Sequence, residues 1–294
     1  MTERSKIKRL PEWLKVGSGF SPKVHSMKTL LRGKGLATVC ESARCPNIGH
    51  CFDRPTATFM ILGDVCTRAC SFCAVRKGEP IPVDPDEPGR LADAATELGL
   101  KHVVITSVTR DDLPDGGASH FVRAIWAIKR RDHNVTVEIL TPDFKGNASA
   151  IEVVCEAPYD VFNHNVETVP RLYASVRPQA DYRRSLNLLA MVKRIRPHQP
   201  IKSGLMVGLG ETFDEVVSLM GDLAGLGCDI LTIGQYMRPG MGNVEVTEYL
   251  EPSIFDEFRR VGLSLGIREV YSGPLVRSSY HADGILEAVR PKSR

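Results

Sequence analysis

From residue 58 onward the chain alternates short apolar runs with amphipathic segments of helical period. The runs are 58–62, 103–108, 136–140, 161–164, 205–209 and 230–233, each with the length and β-branched content of a buried strand. Between them, 90–98, 119–131, 148–156, 182–195 and 212–226 read as helices, with Gly99 and Gly227 standing where a helix should stop. Such alternation implies parallel pairing through right-handed crossovers, hence an α/β fold. Six strands suit an open doubly wound sheet or an incomplete barrel, and periodicity alone does not separate the two. After Glu251 the pattern predicts one more helix at 254–265, a short strand near Val270 and a polar tail, whereas residues 1–57 read as loop-rich and irregular. These shifts divide the chain into an N-terminal extension (1–57), a repeat region (58–250) and a C-terminal extension (251–294).

Composition changes this picture at one point. With 294 residues and 43% hydrophobic content, the chain buries enough surface to fold without disulfides or a structural metal. Yet six of its eight cysteines fall between Cys40 and Cys73. No apolar run approaches the roughly 18 residues of a spanning helix. The first twenty residues are charged, broken by Pro11 and unlike a secretory or transit leader, so a bacterial cytoplasm is the expected compartment. In that reducing setting, clustered cysteines point to metal ligation or catalysis rather than disulfides. Charge adds one asymmetry: residues 1–34 hold nine Lys or Arg against two acids. No aromatic interleaving or nucleic-acid motif accompanies that excess, which leaves a solvated face or a surface that steers an acidic partner.

Cys66, Cys70 and Cys73 form a CxxxCxxC on the loop leaving the first predicted strand, the face where α/β proteins place their chemistry. Three thiolates on one loop can hold three corners of an iron–sulfur cube and leave the fourth iron for a substrate or cofactor, since electron-transfer clusters normally take four cysteines. A zinc knuckle is the plainer alternative, although no nearby pair completes its four ligands. Ahead of it lies a second triad, Cys40, Cys45 and Cys51, in a CxxxxCxxxxxC.

The CxxxCxxC with Phe72 before its last cysteine resembles the radical S-adenosylmethionine (SAM) superfamily. Together with the preceding triad and the stretches TSVTRDDLPDGG (106–117), FNHNVET (162–168), GLMVGLGET (204–212) and VRSSYHA (276–282), it is similar to the lipoyl synthase family over nearly the whole chain. The resemblance implies a partial parallel (β/α)6 barrel with N- and C-terminal extensions and two 4Fe–4S clusters. One, on Cys66, Cys70 and Cys73, would bind S-adenosylmethionine and generate a 5′-deoxyadenosyl radical. The other, on Cys40, Cys45, Cys51 and a serine of the RSSY motif (Ser278 or Ser279, with Ser279 preferred), would be consumed as sulfur donor. The implied reaction inserts two sulfur atoms at carbons six and eight of a protein-bound octanoyl chain. Implied partners are octanoylated lipoyl carrier domains (acyltransferase subunits of dehydrogenase complexes and the glycine cleavage H protein), an electron donor such as ferredoxin or flavodoxin, and an iron–sulfur carrier that rebuilds the consumed cluster; neither membrane nor nucleic acid is expected. The residue types suit this chemistry, because methylene hydrogens have no acidity a side-chain base could exploit and the hard step must belong to cofactors.

Further candidates follow from position. Phe72 is placed along the adenine. Asn165 and Glu167 leave a predicted strand toward the cofactor, and Thr106 and Arg183 are weaker candidates of the same kind. Gly208 and Gly210 are expected to admit close backbone approach by the cofactor, because GLMVGLGE lacks the spacing of a phosphate loop. Asp111, Asp112 and Asp115 read as a tight turn rather than a cation site. His50 is given at most a supporting role beside Cys51, and Cys155 and Cys228 are expected to be buried thiols. The alternatives are another radical SAM sulfur-inserting enzyme of the biotin synthase kind, a two-cluster electron carrier, and a zinc-stabilised RNA-binding protein.

Overall fold

A computed structural model describes residues 9–16, 22–52 and 58–279. Six strand–helix repeats run in the order β2 (Thr58–Ile61) and α4 (Glu87–Glu97), β5 (His102–Ser107) and α5 (Ala118–Arg131), β6 (Thr136–Leu140) and α6 (Ala148–Cys155), β7 (Val161–Asn163) and α8 (Tyr182–Ile195), β8 (Ile201–Val207) and α9 (Phe213–Gly225), and β9 (Ile230–Gln235) and α10 (Pro252–Ser264). Strands β2, β5, β6, β7, β8 and β9 pair in parallel and in chain order, as right-handed crossovers require. The N-terminal part adds α1 (Pro22–Gly33), β1 (Ala37–Thr38), α2 (Val39–Ser42) and α3 (Ile48–Phe52), and β1 caps β2 antiparallel. At the far edge β10 (Glu269–Gly273) extends the sheet parallel to β9. The ends of the resulting eight-stranded sheet do not pair with each other, so the barrel is partial. A two-stranded ladder of β3 (Val65–Cys66) and β4 (Arg76–Lys77) and the short α7 (Tyr173–Val176) lie in the loops.

The sheet is buried under its helices, and all of Thr58–Ile61 is inaccessible, so β2 reads as a continuous apolar run rather than an alternating one. Helix α9 starts where Thr212 and Glu215 form a reciprocal capping box. Four differences from the sequence expectation have local causes. Residues 22–33 form a helix because Val24, Met27 and Leu31 bury one face, a short stripe hidden among glycines and lysines. Helices α4 and α10 start at Glu87 and Pro252 because a proline in the first turn needs no backbone donor there. Strand β8 begins at Ile201 because the polar Lys202 is itself buried, its ammonium 2.9 and 3.0 Å from the two carboxylate oxygens of Glu138. Asn163 donates to the same carboxylate at 3.0 Å, so one polar knot ties β6, β7 and β8.

Candidate functional site

The C-terminal ends of these strands surround a cavity of about 350 Å³. Its wall includes all six clustered cysteines, Ser278 and Ser279, together with Ser107 at the end of β5 and Thr141, Asn165 and Arg177 from the segments after β6 and β7. Residues some 200 apart in sequence therefore face one space. Asn47, between Cys45 and Cys51, donates to the Leu275 carbonyl at 2.7 Å and joins the first cysteine segment to the C-terminal one.

The second cysteine loop is held on several sides. At its root Leu62 takes a left-handed backbone (φ 67°), with its amide bonded to the buried Glu87 carboxylate at 2.8 Å. The β3–β4 ladder pinches the base, and Thr67 donates through its amide to the Thr109 carbonyl at 3.0 Å. Arg68, whose side chain is 4% exposed, donates to Asp111 at 2.7 and 2.9 Å and to Asp143 at 2.6 Å. Arg184 donates to the other oxygen of Asp143 at 2.7 Å. Gln179 accepts from the Ala69 amide at 2.6 Å, and the Ser71 amide donates to the Val176 carbonyl at 2.9 Å.

Burial pushes the Cys40 thiol up to about 12, helped by neighbouring Cys45 and Cys51. The Cys73 thiol is pushed up to about 11 by burial, with Cys70 and Cys66 adding to the rise. Cys70 is raised by the same burial, although Arg177 opposes it. Such thiols ionise when a cation binds them, so the donor set is one that a metal centre completes. Among the described residues no three His, Cys, Asp or Glu side chains stand close enough together to grip a single ion. A cluster makes a looser demand, because each thiolate bonds to a different iron. The wall also carries four buried polar atoms without a hydrogen-bond partner among the described residues: Ser107 Oγ, Thr141 Oγ1, Asn165 Oδ1 and Arg177 Nε. Buried polar atoms are rarely left unpaired, so donors and acceptors await a polar molecule beside the cysteines. Thiolates for iron and orphaned groups for a zwitterion fit an iron–sulfur cluster with S-adenosylmethionine.

Comparison with known proteins decides between the remaining readings. The radical SAM superfamily pattern matches residues 60–223. A lipoyl synthase from Caldanaerobacter subterraneus subsp. tengcongensis is 58% identical over 282 residues, covering 96% of this chain and 99% of the relative. One from Methylococcus capsulatus is 54% identical over 276 residues, covering 94% and 86%. This chain belongs to the lipoyl synthase family. It is accordingly a radical SAM enzyme. The solved structure of methylornithine synthase shares the fold (TM-score 0.54, 14% identity, 90% of this chain and 88% of that one). So does Streptococcus suis SuiB with its precursor peptide (TM-score 0.57, 12% identity, 85% of this chain), of whose length the present chain spans about half, 52%.

Within this family frame, most candidate residues converge and three do not. Asn165 donates to Ser278 Oγ at 2.7 Å and to Glu167 Oε1 at 3.1 Å, so one amide links the loop after β7 to the RSSY segment. Burial raises the Glu167 carboxyl above its ordinary range against the pull of Arg177 and Asn165. Thr106 reaches the wall, but its hydroxyl donates to the Leu140 carbonyl at 2.8 Å. Phe72 lines the cavity and packs among Val176, Leu209 and Tyr236. Ser279 lies on the wall beside Ser278.

Arg183 is exposed on the first turn of α8 and lies outside the cavity. The helix begins at Tyr182, which turns inward and sends its neighbour to solvent; Arg177 occupies the wall instead. Gly208 does not line the cavity either. A Cβ there would lie 2.1 Å from Gln235 Nε2 and 2.4 Å from the Glu248 carbonyl, so the close approach is by the chain itself. Gly210 likewise faces Thr247. Within the 204–211 stretch it is Gly204 that serves the site, where a Cβ would crowd Thr232 Oγ1 (2.5 Å), Asn165 Oδ1 (2.9 Å) and Ser278 Oγ (3.1 Å).

The three aspartates of DDLPDGG (111–117) are all committed: Asp111 to Arg68, Asp112 to Arg110, and Asp115 to the amides of Gly117 and Ser119. Cys155 and Cys228 are buried apart from the cavity. The His50 side chain, residues 1–8 of the basic stretch and the tail beyond Ser279 lie outside the described residues. Sequence reasoning missed Arg68, Asp143 and Arg177. The x positions inside CxxxCxxC offered a signal for Arg68; none marked the other two.

Proposed function

We propose that this chain inserts sulfur at carbons six and eight of an octanoyl chain carried on a lysine of a lipoyl carrier domain. In this reading Cys66, Cys70 and Cys73 hold one 4Fe–4S cluster, and Cys40, Cys45, Cys51 and Ser279 hold a second. Bound together, the two clusters and S-adenosylmethionine supply a primary carbon radical that takes hydrogen from an unactivated methylene, and the sulfur that replaces it. The chain's own part is placement. The orphaned Arg177 Nε is a donor for a carboxylate, and the free Asn165 Oδ1 is an acceptor for an ammonium or hydroxyl. Met60, Val108, Leu140, Leu205 and Met237 give the cavity apolar wall that suits an alkyl chain and excludes water from a reactive radical. Ser278 is engaged by Asn165, which favours Ser279 as the hard, more readily released ligand of the second cluster.

The observation that carries this reading is that both cysteine triads and the RSSY serines line one cavity. A sulfur source and a radical source must both reach the same acyl chain, and a shared cavity allows it. Outside partners are a low-potential electron donor of the ferredoxin or flavodoxin type and an iron–sulfur carrier that restores the consumed cluster. Among the described residues no helix is long and apolar enough to cross a membrane. The test is anaerobic reconstitution followed by reaction with reductant, S-adenosylmethionine and an octanoylated carrier peptide. About eight irons per chain, 5′-deoxyadenosine and a peptide carrying two added sulfurs are expected. Unchanged product after substitution of Cys40, Cys45 and Cys51 by Ala refutes the donor assignment.

A further inference from the structure

Leaving β9, residues 236–246 cross the rim of the cavity as a strap before α10 begins, and their polar contacts converge on the second cysteine loop. The Asn243 side-chain amide donates to the Ser71 carbonyl at 3.1 Å and to the Cys73 carbonyl at 3.0 Å. The Val244 amide donates to the Ser71 carbonyl at 3.0 Å. The strap is itself braced: Tyr236 OH donates to the Val244 carbonyl at 2.8 Å, Arg238 Nε to the Asn243 carbonyl at 2.8 Å, and the Asn243 amide to the Gly240 carbonyl at 3.0 Å. Phe72 lies between the two carbonyls that Asn243 grips, and its ring belongs to a small apolar cluster with Val244, Val246 and Tyr236. One segment about 170 residues away thus grips two carbonyls of the Ser71–Cys73 turn and packs on the Phe72 ring between them.

We infer that Asn243 is a positioning residue for the cofactor-facing half of the cluster loop, fixing the Cys73 sulfur and the Phe72 ring before any ligand arrives. This rests on the proposed reading of Cys66, Cys70 and Cys73 as a cluster site. The amide suits the task because its NH2 carries two donors from one nitrogen and can hold two carbonyls two residues apart. A carboxylate of the same shape presents only acceptors there and repels both. Serine offers a single donor on a shorter arm.

The experiment compares wild type with Asn243→Ser and Asn243→Asp in the full chain, using two readouts. The first is hydrogen–deuterium exchange of the 68–76 peptide in the protein without iron, which needs neither cluster nor turnover. The second is the affinity for S-adenosylmethionine after reconstitution, read from its perturbation of the reduced-cluster paramagnetic signal. Loss of two hydrogen bonds corresponds to about tenfold weaker binding, with Asn243→Asp worse than Asn243→Ser and loop exchange rising in the same order. Loss of iron from this triad at an unchanged melting temperature also supports the inference. Exchange and affinity within twofold of wild type in both variants overturn it. So does a lowered melting temperature with unchanged loop exchange, which would make Asn243 a support of the fold rather than of the loop. If the wild-type loop takes up no iron, the cluster reading fails instead.

Discussion

Asp143 is a buried charge on the cavity wall, and replacing it with Asn isolates what it contributes. Its side chain is fully inaccessible and receives Arg68 at 2.6 Å, Arg184 at 2.7 Å and the Lys145 amide at 3.1 Å. Asp143→Asn preserves shape but turns one oxygen into a donor that faces other donors. Removing one partner of a buried pair costs about 3–5 kcal/mol, because the remaining charge stays desolvated. Arg68 keeps its two bonds to Asp111, so about 3 kcal/mol is expected, the lower end of that range. The control is Asp93→Asn: that carboxylate pairs with Arg131 at 2.6 Å, both side chains being about half exposed. Exposed pairs are worth about 0.5 kcal/mol.

Urea unfolding measures both, and the midpoint should move with the slope unchanged. A pH series adds a second check. Burial alone would raise the Asp143 carboxyl, but the bond from Arg68 and the nearby charges of Arg68, His164 and Arg184 outweigh it and hold the group well below the usual carboxylate range. A depressed acid stabilises the fold above its unfolded pKa of about 3.9 and loses that contribution as pH falls further. The gap between wild type and Asp143→Asn should therefore be constant from pH 7 to about 5 and narrow below about 4. A gap under about 1 kcal/mol, or one that persists unchanged to pH 3, refutes the buried-pair argument.

Other outcomes follow from the same structure. His164 is buried, bonded to the Thr141 carbonyl and Ser185 Oγ, and lowered to about 4 by burial first and Arg177 second. Its contribution is present above the unfolded value of about 6.5 and is lost as pH falls toward 4; His164→Gln should flatten urea midpoints across that window, and an unchanged slope would count against it. Gly234→Ala puts a Cβ 2.1 Å from the Val276 carbonyl and 3.1 Å from Arg277 Nη1, so the 275–279 segment must shift. The variant should load the first triad poorly while the second loads normally, as iron and sulfide counts will show. Cys155→Ala and Cys228→Ala, apart from the cavity, should leave iron content at wild-type level, whereas Cys73→Ala should lose roughly half of it.

Much of the scaffold was legible because its signals are local. A strand buried on both faces is a short apolar run, and a crossover helix is an amphipathic one. Four of the predicted strand starts, at Thr58, Thr136, Val161 and Ile230, coincide with those observed. Where a polar residue is buried, that signal fails. Lys202 hid the first turn of β8 because its partner Glu138 lies 64 residues away. The cysteines were legible as spacing. The residues that hold them were not: Arg68 meets Asp111 and Asp143 across 43 and 75 residues, and no window of sequence contains that contact. Gly208 and Gly204 show the same limit, because the chain around 204–211 marks close approach without saying what approaches.

The two cysteine segments are also built differently. Loop 66–73 is tied through Thr67, Arg68, Ala69, Ser71 and Cys73 to four separate parts of the chain, at 109–111, 143, 176–179 and 243–244. The first triad rides on two short helices, α2 capped by Thr38, with described ties to the rest of the site through Asn47 to Leu275 and Arg44 to Pro239. Loops at strand ends are ordinarily the freest parts of an α/β protein, so the many restraints on 66–73 are a cost met during folding rather than at ligand binding. A site that holds a cofactor in one geometry through repeated use gains from that rigidity. A site whose cluster is dismantled in each cycle and rebuilt by a carrier needs access and a releasable corner. The contrast in restraint therefore runs in the direction that the proposed division between radical source and sulfur source requires.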